Sequence, residues 1–374
     1  MSRIQRTGED LLGERIRLDN LPKIEGPRVI PTGNHNLDDD ILTIGGIARG
    51  TLVDFFGGVS SGKSTICAHI IANAQALGLR CAVLDTEGFF RTEEGAAWAQ
   101  TIGVRPDMLD YWNQIGPAEN LLQGLTLLMR ERQYGVVLID SLAGLRTRGQ
   151  LEGVTATGEG EAHSGGTASL ARCLSFHASI LHQAAADTGT AIICTNQMRE
   201  NLRFGTFQER TGTMKKMARS MFYTPGGSAI QYHADVRLYL NRLDAIIDIS
   251  ESGQKAVLGT VAEALLVKSR VSPPFRRTGV DCDHITFFFD GRMQDKFAVL
   301  LESALRRKII TLQPGGRYIL PDSTVISGGK EKFRAIVEGD PAWMTWLETT
   351  VRSVFDAGVS DGMKAAAATE GITL

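Results

Sequence analysis

The chain has 374 residues, of which 43% are hydrophobic and 22% are charged, and its formal net charge is −2. This length and apolar content predict a large core, organised as one main domain with a smaller one. The small net charge excludes a global basic field, so any binding of nucleic acid must be local.

The cysteines and the N-terminal residues bear on the compartment in which the protein works. Four of the five cysteines lie in apolar runs and none forms a C-x-x-C pair, which predicts buried free thiols rather than zinc or disulfide chemistry. The first residues are polar and lack the apolar region of a signal peptide, and no apolar run approaches membrane-spanning length. We therefore expect a cytoplasmic protein that makes no contact with a membrane.

The order of polar and apolar runs predicts the domain organisation. Residues 1–30 are charged and contain two prolines, which predicts an N-terminal arm, with a short helix that could start near Thr7. Residues 31–291 alternate between short apolar runs and helical patterns, as in an α/β core with a mostly parallel central sheet. The runs expected to form buried strands are Val53–Phe56, Cys81–Asp85, Val136–Asp140 and Ala191–Thr195.

Two long polar stretches, at 147–167 and 199–228, interrupt this alternation. Loops of this length inside a compact domain are usually functional. Further along the chain, two helical runs flank a hairpin-like segment, so residues 292–356 predict a small α+β C-terminal domain. Residues 357–374 are small and polar and predict a flexible tail.

Residues 57–65 form a complete G-x-x-x-x-G-K-S motif between a β-rich run and a helical run over Ile66–Leu77. In such a loop, backbone N–H groups and the helix N-terminus wrap a triphosphate. The lysine reaches the β- and γ-phosphates and the serine hydroxyl holds Mg²⁺. The sequence therefore predicts a nucleoside triphosphate and Mg²⁺, contacted by Gly57, Ser60, Ser61, Gly62, Lys63, Ser64 and Thr65.

Polar side chains follow three predicted strands, at the sheet edge that carries the phosphate loop. Asp140 ends a run of four apolar residues, as in a Walker B strand, and is the second predicted Mg²⁺ ligand. Glu87 is the candidate carboxylate for polarising an attacking water; a helix N-cap or an ion pair is the alternative. Gln197 is a candidate sensor that reports hydrolysis to the adjoining segment, or else an amide that satisfies the backbone at the strand end.

Further motifs run through most of the chain. They are Ile30–Gly33, Gly57–Thr65, Asp85–Glu87, Val136–Ser141, Thr195–Met198, Gly226–Ala229, Ala234–Leu238 and Val267–Phe275. In these motifs the chain resembles the RecA family of DNA strand-exchange recombinases, and the region Lys296–Val354 is similar to the family's C-terminal domain. The second polar stretch is longer and more basic than is usual in the family and an acidic tail is lacking, which points to a divergent member such as a phage-encoded one.

The resemblance assigns roles to individual residues. It implies ATP as the nucleotide, Glu87 as the catalytic carboxylate, and Gln197 as the switch at the head of the second DNA-binding loop. Trp98 falls where the family places an aromatic ring that stacks on adenine, the alternative being an ordinary core tryptophan. Lys268 and Arg270 fall where the family supplies two cations to the ATP of the adjacent subunit, the alternative being a solvated strand.

The resemblance also implies that 147–167 and 199–228 are the first and second DNA-binding loops. The second carries six basic residues interleaved with apolar ones. This suits single-stranded DNA, because charges follow the phosphates while apolar groups enter between the bases; a solvated basic loop is the alternative. The predicted DNA-binding residues are Arg199, Arg203, Arg210, Lys215, Lys216, Arg219, Gly226 and Gly227.

Together, the motifs and the resemblance imply a DNA-dependent ATPase of homologous recombination. Such a protein forms a helical filament on single-stranded DNA and pairs it with a homologous duplex. One alternative is a ring-forming ATPase or helicase with the same core, although zinc motifs that often accompany that class are not evident. Others are a DNA-repair ATPase without strand exchange and a protein that only binds ATP; the intact set of Lys63, Ser64, Glu87, Asp140 and Gln197 argues against the last.

Overall fold

The computed structural model describes residues 24–113, 116–157, 165–198, 224–249, 254–293, 296–351 and 353. The helix expected near Thr7 and the expected C-terminal tail lie outside these residues. The described core begins with two short antiparallel strands, Val29–Ile30 (β1) and Ile47–Ala48 (β2). A π-helical segment, Asn36–Ile41, lies between them and is buried along its whole length.

An eight-stranded sheet forms the centre of the described core. The strands are Leu52–Gly57 (β3), Arg80–Asp85 (β4), Leu109–Asn113 (β5), Tyr134–Asp140 (β6), Ala191–Gln197 (β7), Val236–Ile249 (β8), Lys255–Ser269 (β9) and Ile285–Phe288 (β10). Their order in the sheet is β10-β9-β8-β3-β7-β6-β4-β5. All pairs from β8 to β5 are parallel, and β9 alone runs in the opposite direction, antiparallel to both β8 and β10. The predicted mostly parallel sheet is thus confirmed.

Helices cover both faces of this sheet, as its apolar strands require. Val53 and Phe55 of β3 face one apolar cluster and Leu52 faces the other. Burying each such side chain contributes about 1.5–3 kcal/mol, which explains why these strands are apolar on both faces. The helices are Lys63–Ala76 (α1), Glu93–Ile102 (α2), Ala118–Glu131 (α3), Arg148–Thr157 (α4), Gly165–Thr188 (α5) and Ala229–His233 (α6).

Helix α4 occupies much of the stretch 147–167 that the sequence analysis treated as a loop. The first turn has an internal reason to form, because the Thr147 backbone N–H donates to Gln150 Oε1 at 2.8 Å. This T-x-x-Q pattern is half of a capping box, a signal that low apolar content had obscured. Residues 158–164 lie outside the described part of the chain.

The C-terminal region has an apolar cluster of its own, built around Phe297, Tyr318, Phe333 and Leu347. It contains the predicted hairpin and a third strand beside it. Its elements are Lys296–Arg306 (α7), Thr311–Gln313 (β11), Arg317–Ile319 (β12), Val325–Ser327 (β13), Gly329–Gly339 (α8) and a helix over 341–351 (α9).

Two arginines at the end of α7 fix this region to the core. Arg306 Nη1 and Arg307 Nη2 donate to the two oxygens of Asp40 at 2.9 and 3.2 Å. A cleft of about 650 Å³ beside this contact is lined by residues of both regions, including Asp38 and Asp39. Burial raises the pKa of Asp38 to about 7, although hydrogen bonds from Thr32 act in the opposite direction.

Two expectations about the whole chain can be compared with the fold. All five cysteines are buried and free, as predicted. Across the described ranges, no helix is at once long enough and apolar enough to cross a bilayer.

Candidate nucleotide-binding site

The phosphate loop connects β3 to α1, and α1 begins at Lys63, three residues before the predicted start at Ile66. The side chain of Lys63 lies over the loop, where Nζ donates to the Gly58 carbonyl at 2.6 Å and to Ser61 Oγ at 3.2 Å. Burial lowers the pKa of Lys63, while the nearby carboxylates of Asp140 and Glu87 act in the opposite direction. The ammonium group is therefore held among the residues expected to surround the phosphates.

Two independent constraints require a glycine at Gly62, the last residue of the loop before α1. Its φ of 89° lies in the left-handed region that side chains disfavour. A Cβ atom at this position would lie 2.3 Å from the ring of Phe287 on β10. The second glycine of the motif is thus required by backbone geometry and by the packing of the sheet beneath it.

Ser64 and Asp140, the two predicted Mg²⁺ ligands, meet at the C-terminal ends of the strands. Ser64 Oγ donates to Asp140 Oδ2 at 3.1 Å, and the Thr195 hydroxyl donates to the other oxygen of the same carboxylate. Burial raises the pKa of Asp140, and these two hydrogen bonds oppose the shift. A hydroxyl and a carboxylate side by side fit a small hard cation, whose charge would favour the ionised carboxylate.

Glu87 and Gln197 are brought together by β4 and β7. Gln197 Nε2 donates to Glu87 Oε1 at 3.3 Å, and Ser141 Oγ donates to the same oxygen at 2.7 Å. Gln197 also stands beside Gly57 in the register of β3 and β7. The candidate water-activating carboxylate and the candidate sensor are therefore direct neighbours at the edge of the phosphate loop.

The loop that carries Glu87 is held by Asp85, a residue to which the sequence analysis gave no role. Its carboxylate accepts the backbone N–H groups of Glu87 at 3.0 Å, Gly88 at 2.6 Å and Phe90 at 3.0 Å. The Tyr111 hydroxyl donates to it as well, at 3.0 Å. Ser141 and Thr195 were also missed, although all three follow or end a predicted strand, as the assigned residues do.

Trp98 lies on α2, half-buried, with its ring edge-on to Phe89 at 5.4 Å between centroids. Its Nε1 lies close to the backbone of Gly291, 3.2 Å from the position that a Cβ atom would take there. Gly291 follows β10, the strand whose Phe287 packs under Gly62, so one short segment connects the phosphate loop with Trp98. The stacking role of Trp98 stays a prediction.

Lys268 and Arg270 lie near the opposite ends of the parallel strands from the phosphate loop of the same chain. The end of β9 pairs with Val236, whereas Gly57 pairs with Leu240, four residues further along β8. At about 3.3 Å per residue, this corresponds to about 13 Å along the strand. Both cations therefore lie outside the chain's own phosphate site.

Carbonyl groups at the end of α6 hold these two cations. Lys268 Nζ donates to the carbonyls of Gln231 and Tyr232 at 2.9 and 2.7 Å, and Arg270 Nη2 donates to the Tyr232 carbonyl at 3.3 Å. Burial and the neighbouring guanidinium lower the pKa of Lys268. The two like charges are thus close together on one edge of the molecule.

The second expected DNA-binding segment begins directly after Gln197 at the end of β7. Its return is tied back to the same strand, because Asn196 Nδ2 donates to the Pro225 carbonyl at 3.2 Å. Gly226 and Gly227 have φ values of 92° and 77° and pack against α5. The other predicted DNA-binding residues lie outside the described residues: Arg199, Arg203, Arg210, Lys215, Lys216 and Arg219.

Comparisons with known proteins agree with this arrangement. The family model described as the RecA N-terminal domain matches residues 16–286. Protein RecA of Bifidobacterium longum is 29% identical over 95% of this chain and 81% of its own length. Protein RecA of Rhodospirillum rubrum is 31% identical over 91% of this chain and 83% of its own length.

A crystal structure of the RadB recombinase is similar at a TM-score of 0.45 and 20% identity, over 71% of this chain and 99% of that chain, a likeness too distant to carry an argument. The family model and the RecA proteins cover most of the chain, including the phosphate loop and the residues that follow β4, β6 and β7. The chain belongs to the RecA family.

Proposed function

We propose that this protein is an ATP-dependent recombinase that assembles as a helical polymer on single-stranded DNA. In this state it would pair the bound strand with a homologous duplex and promote strand exchange, with ATP hydrolysis stimulated by DNA. The family membership supports recombination as the process in which the protein acts.

One contact carries the proposal: Gln197 Nε2 lies 3.3 Å from Glu87 Oε1. Gln197 ends β7 at the head of the basic segment, and Glu87 would be the carboxylate that polarises a water near the γ-phosphate. A change at the phosphate and a change in the DNA-binding segment therefore act on one hydrogen bond. This supports coupling between hydrolysis and the grip on DNA.

The surrounding residues divide the chemistry between them. Lys63 and the backbone N–H groups of the loop would hold the β- and γ-phosphates. Glu87 would accept a proton from the attacking water, while the Ser141 hydroxyl orients its carboxylate. Mg²⁺, held by Ser64 and Asp140, supplies charge neutralisation at the phosphate oxygens when it is bound.

The position of Lys268 and Arg270 supports a polymer rather than a monomer. They lie near the ends of the strands opposite the chain's own phosphate loop. They can therefore contact a nucleotide only if it is bound by another copy. A head-to-tail contact between copies brings these strand ends onto the next phosphate loop and, without closing, generates a helix. Cations supplied across this contact would link hydrolysis to assembly.

A strand-exchange assay with homologous and non-homologous duplexes tests the proposal. The protein should exchange only the homologous strand, and only with ATP and Mg²⁺. ATP turnover should rise when single-stranded DNA is added. A protein that hydrolyses ATP in response to DNA yet never exchanges strands would instead be a motor or another repair ATPase.

A further inference from the structure

Asp235 links Arg270 to the core of its own chain. Its carboxylate accepts Arg270 Nη1 at 3.0 Å and the backbone N–H of Leu52 at 2.9 Å, and it lies 3.1 Å from His182 Nε2. The side chain of Asp235 is only 9% exposed, whereas that of Arg270 is 49% exposed. A buried anion thus anchors one side of a guanidinium whose other side faces outward.

The anchored guanidinium keeps donors for a second anion. It presents five N–H donors, and here Nη1 is used by Asp235 and Nη2 by the Tyr232 carbonyl. Nη1 also lies 3.4 Å from His182 Nε2. These contacts leave Nε and one N–H of Nη2 for a second anion. A flexible arginine loses conformational freedom when it binds a phosphate, and an arginine held in advance loses less.

Asp235 also compensates the charge of the cation pair. Arg270 and Lys268 share the Tyr232 carbonyl, so two positive charges are held close together. Arg270 lowers the pKa of Lys268, and Asp235 acts in the opposite direction. Without the carboxylate, repulsion between the cations would move them apart or turn Arg270 towards solvent.

We propose that Asp235 is a positioning residue. It holds Arg270 in the orientation that receives the triphosphate of the neighbouring copy. This inference rests on the proposed function, because it presumes that Arg270 acts across the contact between copies. Asp235 would not touch the nucleotide. It would raise turnover on the neighbouring subunit while leaving the nucleotide site of its own chain unchanged.

Asp235→Asn is the test variant, because asparagine keeps an oxygen for the Leu52 N–H group. Its amide NH₂ would then face Arg270, where two donors repel each other. Asp110→Asn is the matched control. Asp110 also accepts two arginines, Arg80 at 2.8 Å and Arg132 at 2.9 Å, but it lies on β5 at the far end of the sheet.

We expect Asp235→Asn to lower DNA-stimulated ATP turnover about 10- to 100-fold, the cost of a misplaced group, and Asp110→Asn to leave it unchanged. The melting temperatures of both variants should stay close to that of the unsubstituted protein. The decisive experiment mixes Asp235→Asn with Glu87→Gln in equal amounts. In a random head-to-tail polymer, about a quarter of the contacts combine an intact Asp235 on one copy with an intact Glu87 on the next, so about a quarter of the normal turnover should return.

A parallel mixture of Arg270→Ala with Glu87→Gln separates the two ideas. If this mixture regains activity while Asp235→Asn does not, or if Asp235→Asn turns over normally by itself, the positioning role is wrong and the proposed function stands. If the Arg270→Ala mixture stays inactive, action across the contact is wrong and the inference fails with it. Recovery in both mixtures supports Asp235 as the positioning residue.

Discussion

The amide of Gln197 and the carboxylate of Glu87 share a hydrogen bond of 3.3 Å that joins the ends of β7 and β4. Ser141 holds the same carboxylate oxygen from the strand between them, β6. Three neighbouring parallel strands thus converge on one oxygen atom. Because β7 leads into the basic segment, this hydrogen bond connects that carboxylate with the strand that precedes the expected DNA-binding residues.

Replacing Gln197 by alanine should weaken the stimulation of ATP turnover by single-stranded DNA. The substitution removes the side chain that connects the segment to Glu87, and we expect stimulation to fall by about tenfold or more, a coupling of about 1–3 kcal/mol. Turnover is measured with and without oligonucleotide. Gln183→Ala, an exposed glutamine on α5, is the control. Stimulation equal to that of the unsubstituted protein would exclude Gln197 as the switch.

Glu87→Gln should retain nucleotide binding and lose turnover. The amide keeps the size of the side chain but cannot take a proton from water, and loss of a general base costs about 10²- to 10⁴-fold. ATP affinity and steady-state turnover are measured on the same preparation. Glu94→Gln, an exposed carboxylate in the first turn of α2, should change neither quantity. If Glu87→Gln hydrolyses ATP at the normal rate, the base must be sought elsewhere.

Much of this site could be predicted from sequence because its residues sit at fixed places in the pattern. The phosphate loop, Asp140, Glu87 and Gln197 each follow an apolar run, and parallel strands bring such positions to one edge. The pattern does not predict which hydrogen-bond partners these residues have. Ser141 contacts Glu87, Thr195 contacts Asp140, and Asp85 contacts Tyr111, and each of these contacts depends on the register between strands that are distant in sequence.

Local composition explains the main differences in the fold. Glycine and threonine lower the helix propensity of α4, so its composition predicts a loop, whereas the capping interaction between Thr147 and Gln150 favours the helix that forms. Helix α1 starts early, at Lys63, since the glycine before it adopts the left-handed conformation that ends the loop. The location of Lys268 and Arg270 behind their own phosphate loop required the pairing of β8 with β3 and β9.

Asp38 should make the stability of the protein fall as the pH rises from about 4 to about 7. Its pKa is raised by burial to about 7, so in this window the folded state keeps a proton that the unfolded state has lost. Asp38→Asn is neutral at every pH and can still accept the Thr32 N–H group, which Asp38 accepts at 2.9 Å. The variant should be more stable than the unsubstituted protein near pH 8, by an amount on the order of 1–3 kcal/mol, and similar near pH 4.

Urea unfolding at pH 4.5, 6 and 8 measures this difference. Asp187→Asn, which replaces an exposed carboxylate on α5, serves as the control and should follow the unsubstituted protein. Parallel stability curves for Asp38→Asn and the unsubstituted protein would mean that Asp38 titrates alike in the folded and unfolded states.

Asp40→Asn should loosen the C-terminal region from the core. The carboxylate receives Arg306 and Arg307, and the side chain of Arg307 is 16% exposed. Removing the charge weakens the pairing of two partly buried cations, at a cost on the order of 1–3 kcal/mol. Denaturant unfolding measures the loss, with Asp322→Asn on the exposed surface of the same region as the control. An unchanged unfolding midpoint for Asp40→Asn would show that apolar packing alone holds the two regions together.

Neutralising Lys215, Lys216 and Arg219 together should weaken binding to single-stranded DNA and flatten its dependence on salt. Each lost phosphate contact lowers the slope of log affinity against log salt by about 0.7, so three contacts lower it by about 2. The residues lie outside the described part of the chain, and this experiment therefore tests the assignment of the segment without reference to its conformation. The matched control neutralises three exposed cations: Arg80 at the start of β4, Arg105 just before the 3₁₀ turn that leads into β5, and Arg130 near the end of α3. Those positions lie near the ends of the strands away from the phosphate loop, so their loss should leave the slope unchanged. Equal effects of the two triple variants would mean that DNA binding depends only on general surface charge.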